Sequence, residues 1–156
     1  MLCSPQLLLL ASLCLAQMGT VLAQSPTTIP SEASEAEQML NRGDSLFESN
    51  RPVAALAMYR GAEERSFDPC QVARARLGIA HIHVQSQNPT QAEKTLRLTT
   101  DGLLACSAEN RLEQSQLAAD LWMQLQQEAR AISILSREIK LRPENWVLKS
   151  KIAELH

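Results

Sequence analysis

Aromatic side chains are scarce in this chain, with two Trp, one Tyr and two Phe among 156 residues, and glycine and proline are sparse too, at five and seven. Leu and Ala dominate instead, with Gln and Glu frequent, which favours helix and leaves little of the β-branched and aromatic content that strands use. No strands are expected. Charge of one sign is also missing: a formal net charge of −2 is too small to draw in nucleic acid or an anionic membrane over distance, and no block of like charge forms an interaction tail. Catalytic signatures are absent as well. There is no Gly-rich phosphate loop, nucleophile elbow or paired metal-ligand motif. His81 and His83 stand two apart on a helix and point to nearly opposite sides, so they cannot share one metal. Adjacent acids such as Glu63 and Glu64 read as solvated. The chain is therefore expected to be non-catalytic and to need no cofactor and no metal.

The one long apolar run, Leu7 to Ala16, is too short to span a bilayer. Followed by Val21-Leu22-Ala23 before Gln24, it reads as a secretory signal over residues 1–23, cleaved after Ala23, although Met1 to Gln6 carries no Lys or Arg. Leu13 before Cys14 is too large for lipoprotein processing. The expected location is periplasmic or secreted, with no membrane insertion once the signal is gone. Residues 24–33 are rich in Ser, Thr and Pro and read as a flexible linker. Roughly 130 residues follow the signal, enough for one domain, placed at 34–156.

Within that domain helix signals recur. Ser34-Glu35-Ala36-Glu37 has the form of a capping box opening a first helix that runs to about Ser49. Asn50-Arg51-Pro52 makes a turn into a second, Pro52 to Arg65, where proline is tolerated because its missing amide would be unpaired in the first turn. Asp68-Pro69 opens a third to about Gln85, and Asn88-Pro89 a fourth to near Ala105. Ser107 is expected to cap a fifth, with Leu117, Leu121 and Leu125 every four residues. The sixth, Glu128 to Leu141, carries Ile132, Leu135 and Ile139 at buried-stripe spacing. Pro143 ends it. A last amphipathic helix, about Glu144 to Leu155, carries Trp146, Leu148 and Ile152 as a cap.

Three segments also repeat a small-residue pattern: Gly43 with Ala55, Tyr59 and Ala62; Gly78 with Ala92 and Leu96; Ala119 with Ala131, Leu135 and Pro143. Ala55, Ala92 and Ala131 fall 37 and 39 residues apart, within the range of stacked supersecondary units. These residues, with Trp122 in the third unit, resemble the tetratricopeptide repeat family over roughly Ala36 to Asn145. The middle unit departs most, since Gly78 and Ala92 are two residues too far apart and Leu96 replaces an aromatic. The resemblance implies an all-α, right-handed stack of antiparallel helix hairpins, about three repeats and a C-terminal capping helix. It carries the family's groove positions onto Leu40, Asp44 and Phe47, then Arg76, Ile79 and His83, then Asp120 and Met123. Such a mixed set suits a peptide segment or a helix gripped by a few apolar anchors. Where some members hold a chaperone's carboxylate tail with basic residues, this chain has Leu40, Asp44, Glu113 and Leu117, so that activity is not implied.

Cys3 and Cys14 leave with the signal, and the remaining pair, Cys70 and Cys106, is an even count in an exported chain. Cys70 opens the first helix of the middle hairpin and Cys106 closes the second, where antiparallel ends meet, so a disulfide is expected between them. The expected function is an exported protein–protein interaction scaffold, an adaptor whose concave groove binds a segment of another cell-envelope protein. The alternative is an obligate structural subunit of an envelope assembly, such as secretion, pilus or outer-membrane machinery, with no separable ligand. Nucleic acid is not an expected partner.

Overall fold

Proline marks the start of three helices, each following a residue that turns the chain. The computed structural model describes residues 32–154, which form seven α-helices with no strand among the described residues: α1 Glu32–Glu48, α2 Pro52–Arg65, α3 Pro69–Gln85, α4 Pro89–Leu103, α5 Ala108–Gln124, α6 Glu128–Leu141 and α7 Trp146–Ala153. The expected signal, residues 24–31 of the expected linker and His156 lie outside the described residues. Residues 32 and 33, expected in the linker, open α1 instead. Ser34 therefore sits inside the helix and is not its cap, and Glu37, expected to close a capping box, reaches across to Arg74. Ser107 does stand at the start of α5, but its side chain makes no capping bond. Asp68, Asn88 and Asn145 do cap, accepting from the amides of Cys70, Gln91 and Leu148 at 2.9, 3.4 and 3.2 Å.

Three helix ends share one turn. Asn50, Gln87 and Gln126 adopt left-handed backbone, with φ of 57°, 55° and 59°. The next amide along, of Arg51, Asn88 and Gln127, donates to the carbonyl five residues back, at 2.9, 2.8 and 2.9 Å, and each left-handed residue donates three back. This is a Schellman closure, which satisfies carbonyls that a helix end leaves unpaired. Each turn joins two helices that run back along one another, and each hairpin is tied at its open end by different chemistry. Glu35 pairs with Arg65 at 3.5 Å between the start of α1 and the end of α2. Cys70 and Cys106 stand at disulfide distance, sulfurs 2.19 Å and Cα atoms 4.8 Å apart, across α3 and α4. Arg142, just past α6, donates to the carbonyl of Ala108 at the start of α5.

Every helix from α1 to α7 packs on its neighbour in the chain, and α3 also touches α1 and α5. The core accordingly forms two clusters that share α3. Ala75, Ile79 and Ile82 face Leu40, Ala55, Tyr59 and Ala62 of α1 and α2, whereas Ala73, Leu77 and Ala80 join the larger cluster of α4 to α7. A helix buried on both sides must be apolar nearly all round, which explains its run of Ala, Leu and Ile. In α5, Leu121 is fully buried, and Leu117 and, just past the helix end, Leu125 pack at the edge of that larger cluster. The inner stripe of α6 is Ala131, Ile134, Leu135 and Glu138; of the expected Ile132, Leu135 and Ile139, Leu135 is fully buried in it and Ile139 packs at its edge, whereas Ile132 is not part of it. Glu138 is buried, and Ser115 and Arg111 both reach its carboxylate at 3.2 Å. Leu148 anchors α7 in the larger cluster.

Tyr59 governs how closely α1 and α3 approach α2. A methyl group added to Gly43 would meet the Tyr59 ring at 2.7 Å, and one added to Gly78 would meet it at 2.5 Å, so the ring lies between two bare stretches of helix backbone. At the corresponding places in the later hairpins Leu96 and Leu135 replace the ring. Gly78→Ala should therefore destabilise the protein by about 1–2 kcal/mol in urea unfolding, overpacking outweighing the roughly 1 kcal/mol that Ala gains over Gly as a helix former. In a Tyr59→Leu background the same change should be neutral or stabilising.

The Cys pair closes a loop with a sequence separation of 36. Denatured, unreduced protein should show no reactive thiol from Cys70 or Cys106. Replacing both with Ser should lower unfolding free energy by about 3–4 kcal/mol on the chain-entropy account.

Candidate protein-binding groove

Three helices contribute stripes at a spacing of three or four residues, the repeat that brings side chains to one helix face. Asp44, Phe47 and Glu48 come from α1; Arg74, Leu77, Gly78 and His81 from α3; Asn110, Glu113, Gln114 and Leu117 from α5. Together with Tyr59 they bound a groove of about 600 Å³. Phe47 and His81 face each other on one wall with ring centroids 4.5 Å apart. Leu77 is buried at the floor, and Leu117 is half-buried on the α5 side. Gln114 stands behind the disulfide pair, its amide nitrogen 3.6 Å from the Cys70 sulfur and its amide oxygen 3.7 Å from that of Cys106.

A polar seam holds the α1 and α3 walls together. Tyr59 donates its phenol to Asp44 at 2.7 Å, and Arg74 donates to the other Asp44 oxygen at 2.5 Å, to Glu37 at 2.9 Å and to Asn41 at 2.9 Å. Burial first, and then the bond to Asp44, push the Tyr59 phenol well above its ordinary range, so it stays a donor. Burial alone would lower Arg74, but Asp44 and Glu37 together outweigh it and raise the guanidinium. Glu48 and Glu113, on opposite walls, form no hydrogen bond or ion pair with a described residue. The lining thus holds three carboxylates, Asp44, Glu48 and Glu113, against one guanidinium that already donates to Glu37, Asn41 and Asp44.

Of the eight residues expected in the groove, Asp44 and Phe47 line it. Leu40 does not, being fully buried in the smaller core cluster. The middle set lies elsewhere. Ile79 is core, Arg76 pairs with Glu63 at 2.8 Å and donates to the Leu98 carbonyl at 2.9 Å, and His83 lies near Arg60. For Ile79 the cause is a slip of two residues. The left-handed turn residue Gln87 stands 37 residues after Asn50, which places Ala80 rather than Gly78 in the position of Gly43. Two residues rotate a helix by about 200°, so Ile79, the counterpart of Asp44 when the helices are aligned on Gly78, faces away from His81, which holds that place in the groove. In α5, Asp120 is not in the groove lining and pairs with Lys151 of α7 at 2.6 Å, and Met123 packs against the larger cluster. Glu113 and Leu117, noted in the sequence only as unsuited to a carboxylate tail, are groove residues. Arg74, His81, Asn110 and Gln114 were missed; the stripe 74, 77, 78, 81 on α3 was the available signal.

Among the described residues no group of three His, Cys, Asp or Glu side chains is placed to hold a metal, and no helix is long and apolar enough to cross a membrane. No protein-family model matches the chain, and no curated protein matches it either.

Burial lowers the affinity of His81 for protons below that of a free imidazole at 6.5, and burial together with Arg60 does the same to His83. As pH falls through 6.5 the unfolded chain takes up these protons first, so stability present above that pH is lost below it. The urea midpoint should drop between pH 7.5 and 5.5. His81→Phe, which removes one of the two groups and leaves a ring beside Phe47, should show a smaller drop.

Proposed function

We propose that this chain is an exported, non-catalytic scaffold of the tetratricopeptide-repeat type, and that it binds a segment of another envelope protein along the groove between α1, α3 and α5. The observation that carries this reading is the groove itself, to which the first helix of each hairpin contributes one stripe. Three further facts support the repeat assignment. The left-handed turns at Asn50, Gln87 and Gln126 recur at intervals of 37 and 39 residues. Ala55, Ala92 and Ala131 are fully buried, each at the same place after its turn. The helices that touch beyond chain neighbours are α1 with α3 and α3 with α5, the first helices of successive hairpins. Export is supported by the leader pattern and by the Cys70–Cys106 pair at disulfide distance.

A second reading, the obligate subunit, draws on the C-terminal end. Trp146 and Val147 are 74% and 46% exposed and Leu141 is 53% exposed, whereas Leu148 beside them is fully buried. Helix α7 is thus anchored on the chain's own core by one side chain and presents apolar surface on its other side, as a permanently covered face would.

Photo-crosslinking in the living cell separates the two. A benzoylphenylalanine at His81 or Leu117 should capture one defined partner, identified by mass spectrometry, and one at exposed Glu64 on α2 should not. Phe47→Asp should reduce the His81 product by about tenfold with helicity and melting temperature retained, as expected when an interface anchor worth more than about 1 kcal/mol is lost. Capture from position 146 with none from 81 or 117 would discard the groove in favour of the subunit reading.

A further inference from the structure

The groove has a charge balance that selects among occupants, and we propose that its ligand is a cationic, apolar-flanked segment: a stretch of polypeptide presenting Lys or Arg side chains beside one or two apolar ones. This rests on the reading of the groove as the binding site. An acidic ligand would find no unpaired Lys or Arg among the described residues that line the groove. Arg74, the one guanidinium in the lining, already donates to Glu37, Asn41 and Asp44, so its charge is balanced by two carboxylates before a third arrives. Such a ligand would also pass between Glu48 on α1 and Glu113 on α5, two carboxylates of like charge with no cationic partner among the described residues. A cation would meet the same two groups with attraction and would leave the Arg74 seam intact. Charge alone is not enough, because exposed carboxylates bind weakly and any basic chain would satisfy them. The second requirement comes from Phe47, its ring tilted against that of His81, and from Leu117 across the groove, both half-buried and open to an apolar side chain. Carboxylates on the two outer walls with apolar surface between them match a segment in which basic and apolar residues alternate or share a helix face.

The probes are three fluorescein-labelled nonapeptides, of alternating Leu and Lys, Leu and Glu, and Ser and Lys, titrated with the purified oxidised protein and read by anisotropy. The Leu–Lys peptide should bind at least tenfold tighter than either other. Charge reversal in Glu48→Lys/Glu113→Lys should weaken it about tenfold and strengthen the Leu–Glu peptide, consistent with a few-fold for each exposed ion pair. The control Glu64→Lys/Glu128→Lys, which changes net charge equally on exposed sites outside the groove, should leave both unchanged. Circular dichroism melts confirm that each variant is folded. Equal binding of the Leu–Lys and Leu–Glu peptides, both lost in Phe47→Asp, would overturn the charge selection and leave the groove reading standing. Leu–Lys binding indifferent to Phe47→Asp would overturn both. Equal weakening by the control pair, binding of the Ser–Lys peptide as tight as Leu–Lys, or no binding of any peptide would overturn the cationic–apolar proposal. Self-association lost in Phe47→Asp would make a second copy of the chain the occupant instead.

Discussion

The Tyr59 ring is held between Gly43 of α1 and Gly78 of α3, and much of the first half of the molecule depends on that contact. A helix pair separated by ordinary side chains leaves room for packing errors; here the spacing is set by a rigid ring against bare backbone on both sides. The phenol then fixes a polar position as well. By donating to Asp44 it orients the carboxylate whose other oxygen receives Arg74, and Arg74 extends the link to Asn41 and Glu37 one and two turns away along α1. One side chain therefore couples apolar packing to the hydrogen-bond seam, and the same side chain lines the groove.

Later hairpins meet the same requirement with different means. Leu96 and Leu135, fully or almost fully buried, take the place of the ring and bring no polar handle. The third hairpin obtains its polar fixture from Glu138, buried with Ser115 and Arg111. A buried carboxylate in company of this kind contributes little net stability against an apolar substitute, but removing one partner leaves a charge without compensation. The effect is to penalise any alternative meeting of α5 and α6.

Much of this architecture was legible because its punctuation is local. Pro52, Pro69 and Pro89 begin helices through the fixed ring and missing amide of one residue, and no distant contact overrides that. The pairing of Cys70 with Cys106 followed from placing them at the two free ends of one hairpin. Errors arose where a residue's role depends on what lies across from it. Ser34 and Glu37 have the right spacing for a capping box, yet Glu37 is recruited by Arg74, 37 residues away. Gly78 looked like the counterpart of Gly43, but it is there to admit Tyr59 from the preceding hairpin, and aligning on it put the buried Ile79 where His81 belongs. Glu138 on an apolar stripe gave no sign of burial, since its partners lie on another helix.

The tie between Cys70 and Cys106 has a kinetic meaning beyond the stability it confers. A cross-link survives in the unfolded chain, so an oxidised molecule begins each refolding attempt with the ends of α3 and α4 already together. Because α3 contributes to both core clusters, a hairpin formed there offers a template on two sides at once, to α1 and α2 in one direction and to α5 in the other. Growth from the middle outward halves the distance over which order must spread along a chain whose contacts are mostly between neighbours. Reduction would remove that head start and leave nucleation to the hairpins' own local strength, in which the first, with Tyr59 set against Gly43, is the natural rival.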